Sequence, residues 1–476
     1  DIIGKVQDAV WGWPLIILIL AAGVWLTVRT GFVQVRHLGK ALKFMVKNED
    51  NGEGEVTSFG ALCTALSATI GTGNIVGVAT AICLGGPGAL LWMLLAAFFG
   101  MATKYSEGFL AIKYREKKDD SHYLGGPFYY IEKGMGSKWK WLAKVFAVFG
   151  ICVGLFGIGT FTQINGIATA VQDFFDPESA HVAFTLFGND YTWATVIGGL
   201  VVTLCVALVV LGGIQRIAKV SEVIVPFMAI TYVAFALIIV LGHITAIPAA
   251  VKLIFQSAFD PKAALGAATG VTIKLAMQKG IGRGIFSNEA GLGSAPIAAA
   301  AAKTKDTVRQ GLVTMTGTFI DTIVICTLTG LSIVVTGAQN AFVAGSVEGV
   351  KITSRAWQTG LPWNGRFSAF VLMVCLAFFA FTTILGWNYY SERCLEYLVG
   401  SQKFTKVYRY VYILAVFIGP YLTVAAVWNI ADICNGLMAF PNLIALFALS
   451  GVVGKETRAY FAEKRHDLKA MAQDKK

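Results

Sequence analysis

Ser67-Ala-Thr-Ile-Gly-Thr-Gly-Asn-Ile-Val-Gly77 lies in the middle of an apolar stretch that runs from roughly residue 57 to 84. Two glycines around a threonine, followed by asparagine, weaken a helix where a membrane-length segment lies deepest. In a bilayer an unpaired backbone group costs several kcal/mol, so a helix is interrupted there only if something useful meets the exposed groups. The pattern therefore predicts a broken membrane helix. Freed N–H groups at Thr72, Gly73 and Asn74 would meet a carboxylate, and freed carbonyls a cation.

The rest of the chain agrees with a membrane solvent. Of 476 residues, 56% are apolar and 14% charged, and the mean hydropathy is +0.65, beyond what a soluble domain of this size carries. A membrane helix needs about 20 mostly apolar residues. Eleven candidate stretches occur, near 11–28, 57–84, 88–112, 144–172, 192–212, 217–242, 263–283, 311–336, 366–390, 406–419 and 421–451. The first lacks a basic leader and a small-residue cleavage site, so it is expected to be retained. Most Lys and Arg fall in the connections that are cytoplasmic if the N-terminus lies outside and the C-terminus inside. Without the first stretch, ten remain, which divide into two sets of five with opposite orientations, the plan of an inverted repeat. The expected organisation is an extra N-terminal span with its cytoplasmic connection over 1–56, one five-helix repeat over 57–242, its inverted counterpart over 243–451, and a basic cytoplasmic tail over 452–476.

The net charge of +11 is spread over loops and tail, which suits topology and anionic lipid rather than nucleic acid. The eight cysteines are dispersed and form no Cys-x-x-Cys pair, so neither disulfides nor a metal site is expected. There is no Gly-x-x-x-x-Gly-Lys-Ser/Thr sequence for ATP, and all five histidines fall in loops or tail. An ion gradient is the expected energy source, and an enzyme the weakest reading. A channel would need a continuous polar lining or a symmetric filter, which two unlike halves do not offer.

Together with "GGPGALLWMLLAAFFGMATKYSEGF" (Gly85–Phe109) and "FSNEAGLGSAPIAAAAAKT" (Phe286–Thr304), the opening stretch resembles the alanine or glycine:cation symporter family. Leu91 and Leu94 depart from the usual Phe and Trp, both apolar changes. The Gly-x-Gly-Asn element also resembles the first core helix of leucine-transporter-like symporters. The resemblance implies an all-α fold of ten core helices in two inverted five-helix repeats behind one extra helix. It further implies import of alanine or glycine with sodium as co-substrate, a proton being the alternative coupling ion, and no bound cofactor.

Carried over position by position, the resemblance implies a sodium site made of the Ser67, Ile70 and Phe379 carbonyls with the Thr382 and Thr383 hydroxyls of "AFFAFTTILGW". The alternative is that each threonine bonds back to its own helix. The same alignment points Trp387 into the substrate pocket, where an indole would limit side-chain room; an interfacial anchor is the other reading. Phe156 and Gln163 of "GLFGIGTFTQINGIATA" are expected to line the third core helix, Gln163 offering an amide to a zwitterion or to a neighbouring helix. The second broken helix is expected at Ala263–Gly284, with its weak point at Thr269-Gly270 and with Ile273 and Met277 on one face. Asp321 and Asp432 lie within spans and are candidates for cation balance, proton transfer or a gate. Lys104 and Glu107 are expected to snorkel or pair near a helix end. "SNEAGLGSAP" is expected in a cytoplasmic loop, with a gating or structural role.

Overall fold

In the computed structural model the described residues are 2–47, 52–119, 122–186, 188–260, 272–341, 349–422 and 424–473. The described residues are mostly helical, with two short hairpins, which the sequence reading did not include. One pairs β1 (Glu116–Asp119) with β2 (His122–Leu124), and the other pairs β3 (Val182–Leu186) with β4 (Asn189–Thr192). Among the described residues seven helices are long and apolar enough to cross a membrane, eight if the bent pair Ser58–Thr69 and Gly73–Gly85 is one span. An additional apolar helix, Trp13–Arg29, precedes them. Thr269 and Gly270 lie outside the described residues.

The helices that matter for the site are α1 (Ser58–Thr69), α2 (Val78–Gly85), α3 (Ala89–Tyr114), α4 (Phe161–Phe175), α5 (Ile273–Asn288), α6 (Thr307–Thr318), α7 (Gly365–Val399) and α8 (Val424–Gln473). The Thr57 hydroxyl caps α1 by accepting the Gly60 N–H. The helix stops at Ile70, whose backbone is extended, and resumes after a π-helical turn, Gly73–Gly77, with a bend of 50° between the halves. Every residue from Ala61 to Cys83 is buried, so the break faces protein and not lipid, as a hydrocarbon environment demands. Another π-helical turn, Phe319–Cys326, joins α6 to the helix Thr327–Thr336. Such turns recur at functional sites.

One expectation is corrected. The segment read as a cytoplasmic loop, "SNEAGLGSAP", is buried throughout and packs against the first break: a Cβ on Gly73 would lie 3.1 Å from the Ser287 Cα. Here α5 ends, and Glu289 (φ 56°), Gly291 (φ 90°) and Gly293 (φ 82°) turn the chain through the left-handed region before Ala295–Ala299 resumes a helix. This is the second break among the described residues; the weak point expected at Thr269-Gly270 lies outside them. At the C-terminus α8 runs as a helix to Gln473.

Candidate functional site

The break frees backbone N–H groups and carbonyls, and side chains meet both. The Gly71 N–H, which would close a helical bond to Ser67, donates instead to Asn74 Oδ1 at 2.8 Å. The Thr72 N–H donates to Gln163 Oε1 of α4 at 3.1 Å, while Gln163 Nε2 donates to the Ile158 carbonyl at 3.0 Å. Gln163 thus holds an amide oxygen where a carboxylate oxygen would fit. Thr72 Oγ1 is buried beside it without a hydrogen-bond partner.

On the other side of the break α7 brings hydroxyls. Thr383 Oγ1 donates to the Ile70 carbonyl at 3.2 Å and to the Phe379 carbonyl at 3.0 Å, and Thr382 Oγ1 also reaches Phe379 O at 3.0 Å. Both threonines bond back to their own helix, yet Thr383 also spans to the broken one. Ser67 is buried among them, its hydroxyl turned to Thr64 O at 2.7 Å. Close approach is possible because a Cβ on Gly386 would lie 2.8 Å from the Ala68 Cβ, so only glycine lets α7 lie this near α1. Hard oxygens converging on an unwound carbonyl suit a small monovalent cation.

A second polar cluster joins the two breaks. Asn74 Nδ2 donates to Asp321 Oδ1 at 2.7 Å, Ser287 Oγ to Asp321 Oδ2 at 2.9 Å, and Thr322 Oγ1 to the same oxygen at 2.7 Å. Asp321, a candidate from the sequence, therefore sits against the first break. Ser287 was missed, because its stretch read as a loop. Trp387 is not an interfacial anchor: it is 1% exposed and its indole donates to Glu289 Oε1 at 2.8 Å.

Four candidates fall elsewhere. Phe156 is 45% exposed, because its helix ends there and the Gly157–Thr160 turn changes the register before Gln163. Ile273 is 41% exposed, and at 1.5 Å per residue it lies about 21 Å along α5 from Ser287; Met277, on the same helix, is about 15 Å away. Asp432 is no lone charge. Its carboxylate receives Arg283 Nη1 at 3.2 Å, Arg283 Nη2 at 3.1 Å and Gln7 Nε2 at 3.1 Å, which ties α8 to α5 and to the N-terminal helix Ile2–Val10. Lys104 and Glu107 do not snorkel: both are buried, Glu107 Oε1 accepting the Gly291 N–H at 3.2 Å and Asn442 Nδ2 at 2.7 Å.

At the opposite end of α7 the β1–β2 hairpin adds a charged lock. His122 Nε2 lies 2.7 Å from Glu396, and Nδ1 3.3 Å from Glu55 at the foot of α1; Arg393 reaches Glu396 at 2.7 Å and Glu55 at 3.4 Å. Burial works against a charged ring, but hydrogen bonds to Glu396 and Glu55 outweigh it and hold the His122 pKa up to about 9. A folded-state value above the unfolded one of about 6.5 means that the stabilisation is complete below about pH 6.5. It is lost as pH rises through about 9. The purified protein should therefore melt a few degrees lower at alkaline pH than at neutral pH, and His122→Gln should flatten that slope. Equal slopes for wild type and variant in a melting-temperature series would refute the linkage.

The model of the sodium:alanine symporter family matches residues 1–475. A transporter of Haemophilus influenzae described as uncharacterised is 52% identical over 461 residues, covering 97% of this chain and 96% of that one. The sodium/alanine symporter AgcS of Methanococcus maripaludis is 45% identical over 473 residues, covering 98% and 99%. Among solved structures, MhsT in complex with L-phenylalanine aligns with a TM-score of 0.56 at 12% identity, over 86% of this chain and 99% of that one, a likeness of fold.

Proposed function

The chain belongs to the sodium:alanine symporter family, a family of transporters and not enzymes, and from that premise we propose a sodium-driven importer of alanine or glycine that works by alternating access. The observation that carries this reading is the two-sided break at Gly71–Asn74. One side presents the Thr72 N–H and Gln163, which suit a carboxylate. The other presents the Ile70 and Phe379 carbonyls with Thr382 and Thr383, which suit sodium. A cation that binds there would hold the break in the form that receives the amino acid, so each ligand would favour the other.

The proposed architecture is eleven spans, ten of them in two inverted sets of five, in a cell (inner) membrane with the N-terminus outside and the C-terminus in the cytoplasm. In this orientation Arg283–Asp432 closes the outer side, and the group of Glu55, His122, Arg393 and Glu396 closes the inner side. Rocking of one helix set against the other would open them in turn.

Asp321 supports a second reading, in which a proton is the coupling ion, because its carboxylate touches Asn74 of the break directly. Uptake of radiolabelled alanine into proteoliposomes separates the two. A requirement for an inward sodium gradient, unmet by potassium or protons, supports the first; uptake driven by a proton gradient in sodium-free buffer supports the second. Absence of alanine and glycine uptake under every gradient rejects both substrates.

A further inference from the structure

Glu289 is an unusual residue to find in the second break. It is fully buried, and its backbone occupies the left-handed region at φ 56° without being glycine, a conformation kept only where the surroundings enforce it. Its carboxylate has two donors. Ser294 Oγ reaches Oε2 at 2.5 Å, and the Trp387 indole N–H reaches Oε1 at 2.8 Å. The indole is packed edge-on against Tyr390, with ring centroids 5.4 Å apart and planes at 81°. On its other side a Cβ on Gly159 would come within 2.7 Å of the Trp387 Cβ. The ring lies one helical turn beyond Thr383 on α7, on the same face.

The charge that answers Glu289 comes from α3. Lys104 is 2% exposed, its ammonium has no hydrogen-bond partner, and it acts electrostatically on Glu289, Glu107 and Asp321. A buried ammonium is retained only where carboxylates offset its desolvation. Lys104 therefore supports the second break as an internal counter-ion, and of the three carboxylates Glu289 is the one that holds Trp387.

We propose that Glu289 is a specificity-determining positioning residue: by holding the Trp387 indole N–H it fixes the ring as a wall that admits only amino acids with small side chains. The inference rests on the reading of the break as an amino-acid site. A larger substrate has to turn the indole aside, which leaves a buried N–H without an acceptor and a buried carboxylate without its donor, and both losses are costly. Glutamine keeps an acceptor oxygen for the indole, whereas alanine removes it. Trp387→Phe has no N–H and should behave as Glu289→Ala does.

The test combines transport with a direct view of the ring. Proteoliposomes carrying wild type, Glu289→Gln, Glu289→Ala, Trp387→Phe and the double variant Glu289→Ala/Trp387→Phe are assayed with glycine, alanine, valine and leucine. In parallel, 19F NMR of 5-fluorotryptophan-labelled protein follows the Trp387 resonance, assigned by its loss in Trp387→Phe. The expected result is a shifted or broadened resonance in Glu289→Ala and a preference for alanine over leucine reduced about tenfold to a hundredfold. Glu289→Gln should stay within about threefold of wild type, and the double variant should add little to either single change, as coupled residues do. An unmoved Trp387 resonance in Glu289→Ala overturns the proposal, as does a moved resonance with alanine and leucine affected alike. Wild-type uptake decides separately whether the break is an amino-acid site, and because the substrates form a size series, the preference can be read whichever of them is favoured.

Discussion

Valine in place of Thr383 should lower the apparent sodium affinity of uptake by about a hundredfold, and serine should keep it within about threefold. The estimate follows from the contact. Valine has nearly the shape of threonine, so packing is preserved and only the hydroxyl is lost. That hydroxyl is the side-chain group that bridges α7 to the Ile70 carbonyl of the broken helix, at 3.2 Å. Loss of one partner of a buried polar contact costs about 1–3 kcal/mol, and the upper part of that range is a factor of about one hundred in affinity. If the hydroxyl served only its own helix through Phe379 O, valine would leave sodium dependence nearly unchanged. Sodium titrations of alanine uptake by the three proteins distinguish these outcomes.

Gly71→Ala should be nearly as damaging, by a different route. A Cβ at this position would lie 2.5 Å from Thr383 Oγ1 and 2.9 Å from Gln163 Oε1. Both neighbours are side-chain ends and can withdraw, so the protein should still fold, at a cost of about 1–3 kcal/mol for the forced repacking. Withdrawal of Gln163 removes the acceptor of the Thr72 N–H, and withdrawal of Thr383 removes the bridge to Ile70. One methyl group thus disturbs both sides of the break, and sodium and alanine affinity should each fall by about tenfold or more. Binding assays on purified protein would show it, with melting temperature as the check on folding. A change confined to one ligand would mean that the two sides are not served by one glycine.

The first break was legible because the two glycines and Asn74 stand out against an apolar stretch, and a hydrocarbon solvent makes such a stretch costly unless it is used. The threonine pair was conspicuous for the same reason. The second break was not. Ser287, Asn288 and Glu289 have loop composition, and each is tolerable in the interior only through a partner far away in sequence: Asp321 for Ser287, Thr322 for Asn288 and Trp387 for Glu289. Local polarity cannot reveal such partners, so the stretch read as a loop. Phe156 was misplaced because a face was extrapolated through Gly157–Thr160, where the helical period is interrupted. Asp432 was recognisable as a charge within a span, but its partner Arg283 was not, because the helix that carries it was read for its weak point and its substrate-facing side chains.

Reciprocal binding is the most direct test of a cation and an amino acid sharing one helix break. Alanine affinity of the purified protein is measured across sodium concentrations, and sodium affinity across alanine concentrations. If sodium lies against Ile70 and Thr383 while alanine takes the Thr72 N–H, each ligand should raise the affinity of the other, by the same factor in both directions, about tenfold or more. Alanine binding that is indifferent to sodium would contradict the account.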